Sequence, residues 1–289
     1  MRTLTLLFLL FAFAITSCQK KETSTESPAG DFGVIREAVF SKLLTPGEAA
    51  AKLQSIGADF NGALLNDPAK WSSYSTAENK TAANLGVYLS DLNYSVAYKQ
   101  KDVSKKYLDA SLELASTLGA KREVLTYLVK RYEENIEQSD SVKSYMFQFF
   151  VGSTAKLKEA EKERLAGIAY SAYYIENLHI LLGLIQSYPK DILPDDARAV
   201  ILVPAFEIVL TQKDNIKLIY SYLKATGNEE NPNYLYYKNA LEELIATYDK
   251  LDVAEKMKNN KAQELLNDTV VKELSDKVNQ IRDKIVSVE

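Results

Sequence analysis

The chain has 289 residues, of which 46% are hydrophobic and 26% charged, the balance of an ordinary globular protein with room for one large core. Its 35 Lys and Arg against 39 Asp and Glu leave a formal charge of −4. A mild acidic excess spread along the chain gives no footing to nucleic acid, which calls for a concentrated basic face. One cysteine and one histidine bound the chemistry further: no disulfide can close within the chain, and no cluster of soft metal ligands can assemble.

The N-terminus carries the most specific signal. Met1-Arg2 is a short positive start, and Leu4 to Ile15 is an apolar run of 12 residues, too short for a bilayer that needs about 20. It ends in Ile15-Thr16-Ser17-Cys18, which resembles the bacterial lipobox. The resemblance implies cleavage after residue 17, acylation of Cys18 and attachment to a membrane through lipid chains; loss of Arg2 would take the charge from −4 to −5. Residues 18–30 then read as a lipidated cysteine and polar tether (QKKETSTESPAG from Gln19 to Gly30), and residues 31–289 as one helical domain. Gln19 is not the aspartate associated with inner-membrane retention. Lys20 and Lys21 are unlike the acidic runs that mark surface display. The outer membrane, on its periplasmic face, is the expected location.

The remaining sequence predicts an all-α fold, an irregular helical bundle of roughly 8–10 helices. A helix from Phe32 to Leu43 precedes one that Thr45-Pro46-Gly47-Glu48 starts and Gly57 ends. Residues 58–75 lack periodicity and read as a partly ordered loop. Thr76 opens a helix to about Gln100, and Asp102 is expected to cap the next, which stops at Gly119. Glu123 to Gln138, about 140–158 and 160–187 follow. The 21-residue segment Leu165 to Ile185 is apolar almost all round, yet Glu176, Asn177 and His179 near its middle suit the centre of a bundle better than lipid. Pro194-Asp195-Asp196 starts another helix; Val200 to Leu210 could be strand, but a helix kinked at Pro204 is the better reading. Asp214–Lys224, Pro232–Lys250 and Thr269–Val288 complete the set. Half of a tetratricopeptide-like unit at Ala97–Ala115 is not repeated, so a solenoid is not indicated. In the last helix, Val271, Leu274, Val278, Ile281, Ile285 and Val288 form an a/d seam. Lys277 and Arg282 would face each other as like charges in a parallel dimer. The seam should therefore dock on its own bundle, with both cations in water. The abundant tyrosine, 18 residues, suits half-buried packing between helices.

Glu176 and His179 stand at i, i+3, the spacing of carboxylate-bridged di-iron bundles. A single histidine cannot supply the second such motif. No metal or cofactor is predicted, and no phosphate loop or nucleophile elbow is present. No catalytic residue can be singled out. A candidate binding stripe does stand out: Asn84, Tyr88, Asp91, Ser95 and Tyr98 recur on one face, opposite Leu85, Leu89, Leu92 and Val96. It can bury a polar network between helices or line a ligand groove. Because buried polar groups need partners, Tyr88 or Asp91 is expected to meet Glu176 or His179.

Three features together, the lipobox, the Asn-Leu-Gly-Val-Tyr…Asp-Leu-x-Tyr stripe from Asn84 and the Tyr-Ile-Glu-Asn-Leu-His helix from Tyr174, resemble a group of uncharacterised, all-helical lipoproteins of Bacteroidota. The resemblance implies a location and a fold, and no reaction. Two functions remain open on the sequence. One is a tethered module that binds an envelope protein or peptide. The other is a protein handling a small ligand or glycan in a polar pocket near Asp91 and Glu176. Elemental analysis of the domain, purified without a histidine tag, should find no stoichiometric transition metal; one tightly held zinc or iron per chain would refute the ligand count.

Overall fold

The computed structural model describes residues 52–120, 159–188, 193–227, 229–251 and 268–288, together with isolated positions between 123 and 134 and between 255 and 264. Cys18, the expected helix from Phe32 to Leu43, the Thr45 cap and the segment 140–158 lie outside the described residues. Among the described residues every regular element is helical. Six long helices carry the fold: α1 (Glu78–Ala97), α2 (Lys101–Thr117), α3 (Glu159–Ser187), α4 (Asp195–Ala225), α5 (Pro232–Asp249) and α6 (Thr269–Val286).

Their ends follow local chemistry. Asn231 and Asp268 cap α5 and α6, each side chain accepting from two free backbone amides of the first turn. Gly57 and Gly119 take positive φ, 89° and 93°, where the helices before them stop. In each case the next amide bonds five residues back, Ala58 N to Leu53 O and Ala120 N to Ala115 O, both 3.0 Å. Two expectations need correction here. The N-cap of α2 is Gln100, without a side-chain bond, and Asp102 sits inside the first turn, where its charge favours the positive end of the helix dipole instead of capping it. The segments Val200–Leu210 and Asp214–Lys224 belong to one uninterrupted helix, α4, with Pro204 inside it. Proline removes the bond to the carbonyl four residues earlier, and that carbonyl belongs to Val200, 64% exposed, where water can take its place.

The core is built around α1 and α3, the most extensive helix pair. On α1 every residue from Thr81 to Ser95 is buried. Leu165 to Ile185 on α3 is buried almost throughout, so the expected central helix is in fact one of two. Such burial needs a close crossing, and Gly86 permits it. A Cβ there would fall on the Ala169 carbonyl oxygen and within 2.9 Å of the Tyr173 amide nitrogen. Around this pair, α2 lies against α1, α4 against α3, and α6 against α3, α5 and α1. Tyr74, Tyr88, Tyr94, Tyr174, Tyr222, Tyr234 and Tyr248 are all fully buried, which places tyrosine in helix packing. Most spend their hydroxyl internally, as Tyr174 does on the Gln212 carbonyl at 2.7 Å.

The segment 58–75 is the largest departure from expectation. It is an ordered strap of two 3₁₀ turns (Gly62–Leu64 and Pro68–Lys70) and one α-turn (Trp71–Tyr74) laid across the bundle. Sequence periodicity cannot reveal such a strap, because its backbone is held by side chains of other helices. Replacing Gly86 with alanine should destabilise the fold by about 1–3 kcal/mol through overpacking at the α1–α3 crossing. Urea denaturation followed by circular dichroism measures this; an unchanged midpoint would contradict the close approach.

Candidate functional site

Two carboxyl groups and one guanidinium meet in the interior. Asp91 comes from α1, Glu176 from α3, and both are 0% exposed. Arg282 reaches in from α6: its Nε donates to Glu176 Oε2 at 3.0 Å and its Nη2 to Oε1 at 3.1 Å. This two-pronged pairing is the geometry in which arginine binds a carboxylate best. The Asp91 carboxyl lies within hydrogen-bonding reach of Glu176. Its Oδ2 accepts from the Asn66 backbone amide at 3.2 Å, while its Oδ1 faces no donor. The stripe on α1 and the polar group on α3 therefore meet as expected.

Arg282 is the residue that sequence reasoning missed. It was expected in water; its side chain is 14% exposed and forms the ion pair with the fully buried Glu176. The signal was available. A carboxylate at the centre of an apolar helix needs a cation, and among the basic residues Arg282 flanks the apolar seam that was expected to dock. Lys277 also pairs, with Glu243 at 2.8 Å, but it remains partly in solvent.

The electrostatics follow from burial. Loss of water pushes the Asp91 carboxyl well above the usual carboxylate range, and repulsion from Glu176 adds to this; Arg282 and the Asn66 amide oppose the rise without cancelling it. For Arg282, burial works against the charge, but Glu176 outweighs it and the guanidinium is held more firmly protonated than usual. With one proton on Asp91, the ion pair of Glu176 with Arg282 would leave the cluster without net charge. A dry interior tolerates that arrangement and would not tolerate two carboxylates against one cation.

The other stripe residues serve the same neighbourhood. Asn84 Nδ2 donates to Ile285 O at 3.1 Å, and the Tyr74 hydroxyl donates to Val286 O at 2.8 Å, so two terminal carbonyls of α6 are satisfied inside the bundle. Tyr88 donates to Asp67 O at 2.9 Å and Tyr107 to Asn66 O at 2.7 Å, pinning the strap. Burial raises both phenols, which stay neutral donors. His179 is held through both ring nitrogens, Nδ1 at 2.7 Å from Asn279 Oδ1 and Nε2 at 3.1 Å from Leu64 O. The same Leu64 carbonyl receives Arg282 Nη2 at 3.4 Å. Tyr98 stands apart: two turns further along α1, it donates to Ala58 O at 3.0 Å and packs with Phe60 and Tyr94. Among the described residues no group of histidine, cysteine and acidic side chains is arranged to hold a metal ion.

Comparison of the chain with protein-family models, curated proteins and solved structures finds no match. The chemistry of the cluster must be read from its own geometry. Asn84, Tyr88, Asp91, Tyr98 and Glu176 are buried and His179 is partly so, and the arrangement holds helices together. Truncating Arg282 to alanine leaves Glu176 buried without a counter-ion and should cost about 3–5 kcal/mol. Removing the exposed member of a surface pair, as in Lys105→Ala (partner Asp109), should cost less than about 1 kcal/mol. Equal losses in chemical denaturation would refute the special standing of the buried pair.

Proposed function

We propose that this protein is a lipid-anchored helical module of the cell envelope, held through Cys18 on the periplasmic face of the outer membrane, that acts by binding another envelope protein or peptide. The observation that carries the reading is the inward consumption of the polar stripe. Asn84, Tyr88, Asp91, Glu176 and His179 are engaged with the protein's own backbone and side chains, which leaves the outer surface of a firmly locked bundle to make contacts. The lipobox at Ile15 to Cys18 and the polar tether to Gly30 support the anchored placement. Among the described residues no helix is long and apolar enough to cross a membrane. The likeness to all-helical Bacteroidota lipoproteins supports the same placement and supplies no reaction. Against the alternative of a small-ligand pocket stands the full burial of Asp91 and Glu176.

Attachment is tested with Cys18→Ala. The substituted protein should lose incorporation of radiolabelled palmitate and leave the outer-membrane fraction; normal processing and fractionation would overturn the anchor. For binding, a photo-crosslinking amino acid at exposed Val200 or Tyr127 should give a discrete adduct in intact cells. A diffuse smear from both positions, or none, would count against a defined partner.

A further inference from the structure

The C-terminal helix α6 is tied to the bundle by an apolar seam and by polar contacts that converge on one place. Val271, Leu274, Val278, Ile281 and Ile285 are buried as the seam. At its C-terminal end Arg282 enters the interior, and its guanidinium takes both oxygens of Glu176. Lifting α6 away would remove the only cation that faces Asp91 and Glu176 among the described residues and would open both to water.

The titratable groups around Asp91 can be named element by element. The strap contributes Asp67 and, at its α-turn, Tyr74; α1 itself contributes Tyr88, and α2 contributes Tyr107. From α3 come Glu176 and, beside it, His179, whose Nε2 shares the Leu64 carbonyl with the guanidinium; from α6 come Arg282 and the solvent-facing Asp283. The tyrosines are neutral, and among the described residues Arg282 is the one lysine or arginine placed against the two carboxyl groups.

Donor counting then fixes where a proton must be. Both oxygens of Glu176 accept from Arg282, and Asp91 Oδ2 accepts from the Asn66 amide. Asp91 Oδ1 is fully buried with no donor facing it, and the Asp91 carboxyl lies within hydrogen-bonding reach of Glu176. Two buried carboxyl groups within reach of one another are best reconciled by one proton, and Asp91 Oδ1, which no donor faces, is the atom free to carry it.

We propose that docking of α6 is proton-linked: Asp91 holds one proton against Glu176 while Arg282 is seated, and surrenders it to water when α6 lifts, so that the helix is a latch that loosens as pH rises. The direction follows from linkage. The docked state binds a proton that the open state, with its carboxyl hydrated, gives up at pH values above about 4. Raising the pH from there toward the elevated range of buried Asp91 therefore favours opening, and acidification favours closure. The inference concerns the protein's own conformational equilibrium and does not depend on where the protein resides or what it binds.

The experiment is native-state hydrogen exchange by mass spectrometry on the complete domain, residues 31–289. It follows peptides from 268–288 between pH 5 and 7.5, with intrinsic exchange rates divided out. In the wild type the opening constant of α6 should rise with pH, approaching tenfold per pH unit where one whole proton is released. Asp91→Asn keeps the shape and places an NH₂ donor where the acid proton stood, so its opening constant should be flat with pH and lower than wild type at neutral pH. A flat wild-type profile, or an equal slope in Asp91→Asn, would overturn the proposal. A second measurement uses the wild type alone: infrared spectra of protein labelled with ¹³C-aspartate at neutral pH should show the carbonyl stretch of a protonated aspartic acid. Its absence would overturn the proposal even if the asparagine variant failed to fold.

Discussion

A guanidinium buried against two carboxyl groups has few ways to be stable. In this protein Arg282 of α6 satisfies Glu176 of α3 through two hydrogen bonds, while Asp91 of α1 lies beside the same carboxylate. Three helices far apart in sequence are thereby fixed in register, and the strap is fixed with them through Asn66 and Leu64. Such a cluster gives less net stability than an apolar core of the same volume, because each charge must be stripped of water. What it gives instead is discrimination. A bundle of leucine- and alanine-faced helices could slide or rotate with little loss, but any displacement here would leave a charge buried and alone.

The rest of the interior follows the same logic with neutral groups. Tyrosine is the principal device, since its ring fills a helix interface while its hydroxyl closes a carbonyl that the local structure leaves open. Tyr74 and Asn84 close the end of α6, Tyr88 and Tyr107 hold the strap, and Tyr98 closes the turn at Ala58. The rings of Tyr74, Tyr88 and Tyr107 stand in a tilted row with centroids about 6 Å apart, which adds packing along the face that the strap covers. This is why the stripe on α1, which resembles the lining of a groove when read alone, is covered in the folded molecule.

For function, the consequence is a separation between interior and surface. The residues whose types invite a chemical reading (Asp91, Glu176, His179) are committed to architecture. On the proposed reading, activity would then depend on the faces left to solvent and on the C-terminal helix, whose seating brings Arg282 against Glu176. The proposed latch would couple the state of the surface to the charge state of the core without any ligand entering the interior.

The sequence by itself determined the helices and much of their placement. The apolar periodicity of α1, α3 and α6, the glycine stops at Gly57 and Gly119 and the start at Pro232 are local signals, and local signals survive without the fold. It also determined that Asp91 and Glu176 would need partners, because the cost of burying a carboxyl is known before its neighbours are. Three things only the tertiary structure decided. The strap over 58–75 has no period, since its order comes from hydrogen bonds given by α1, α2, α3 and α6. The joining of Val200–Leu210 and Asp214–Lys224 into one helix, α4, is a property of the assembled bundle, in which Val200 faces water where Pro204 frees its carbonyl. Arg282 was read as a solvated seam residue because heptad position describes a helix against an identical partner. Its actual partner is Glu176, 106 residues earlier in the chain. A contact across that distance is fixed by packing, and no pattern within α6 encodes it.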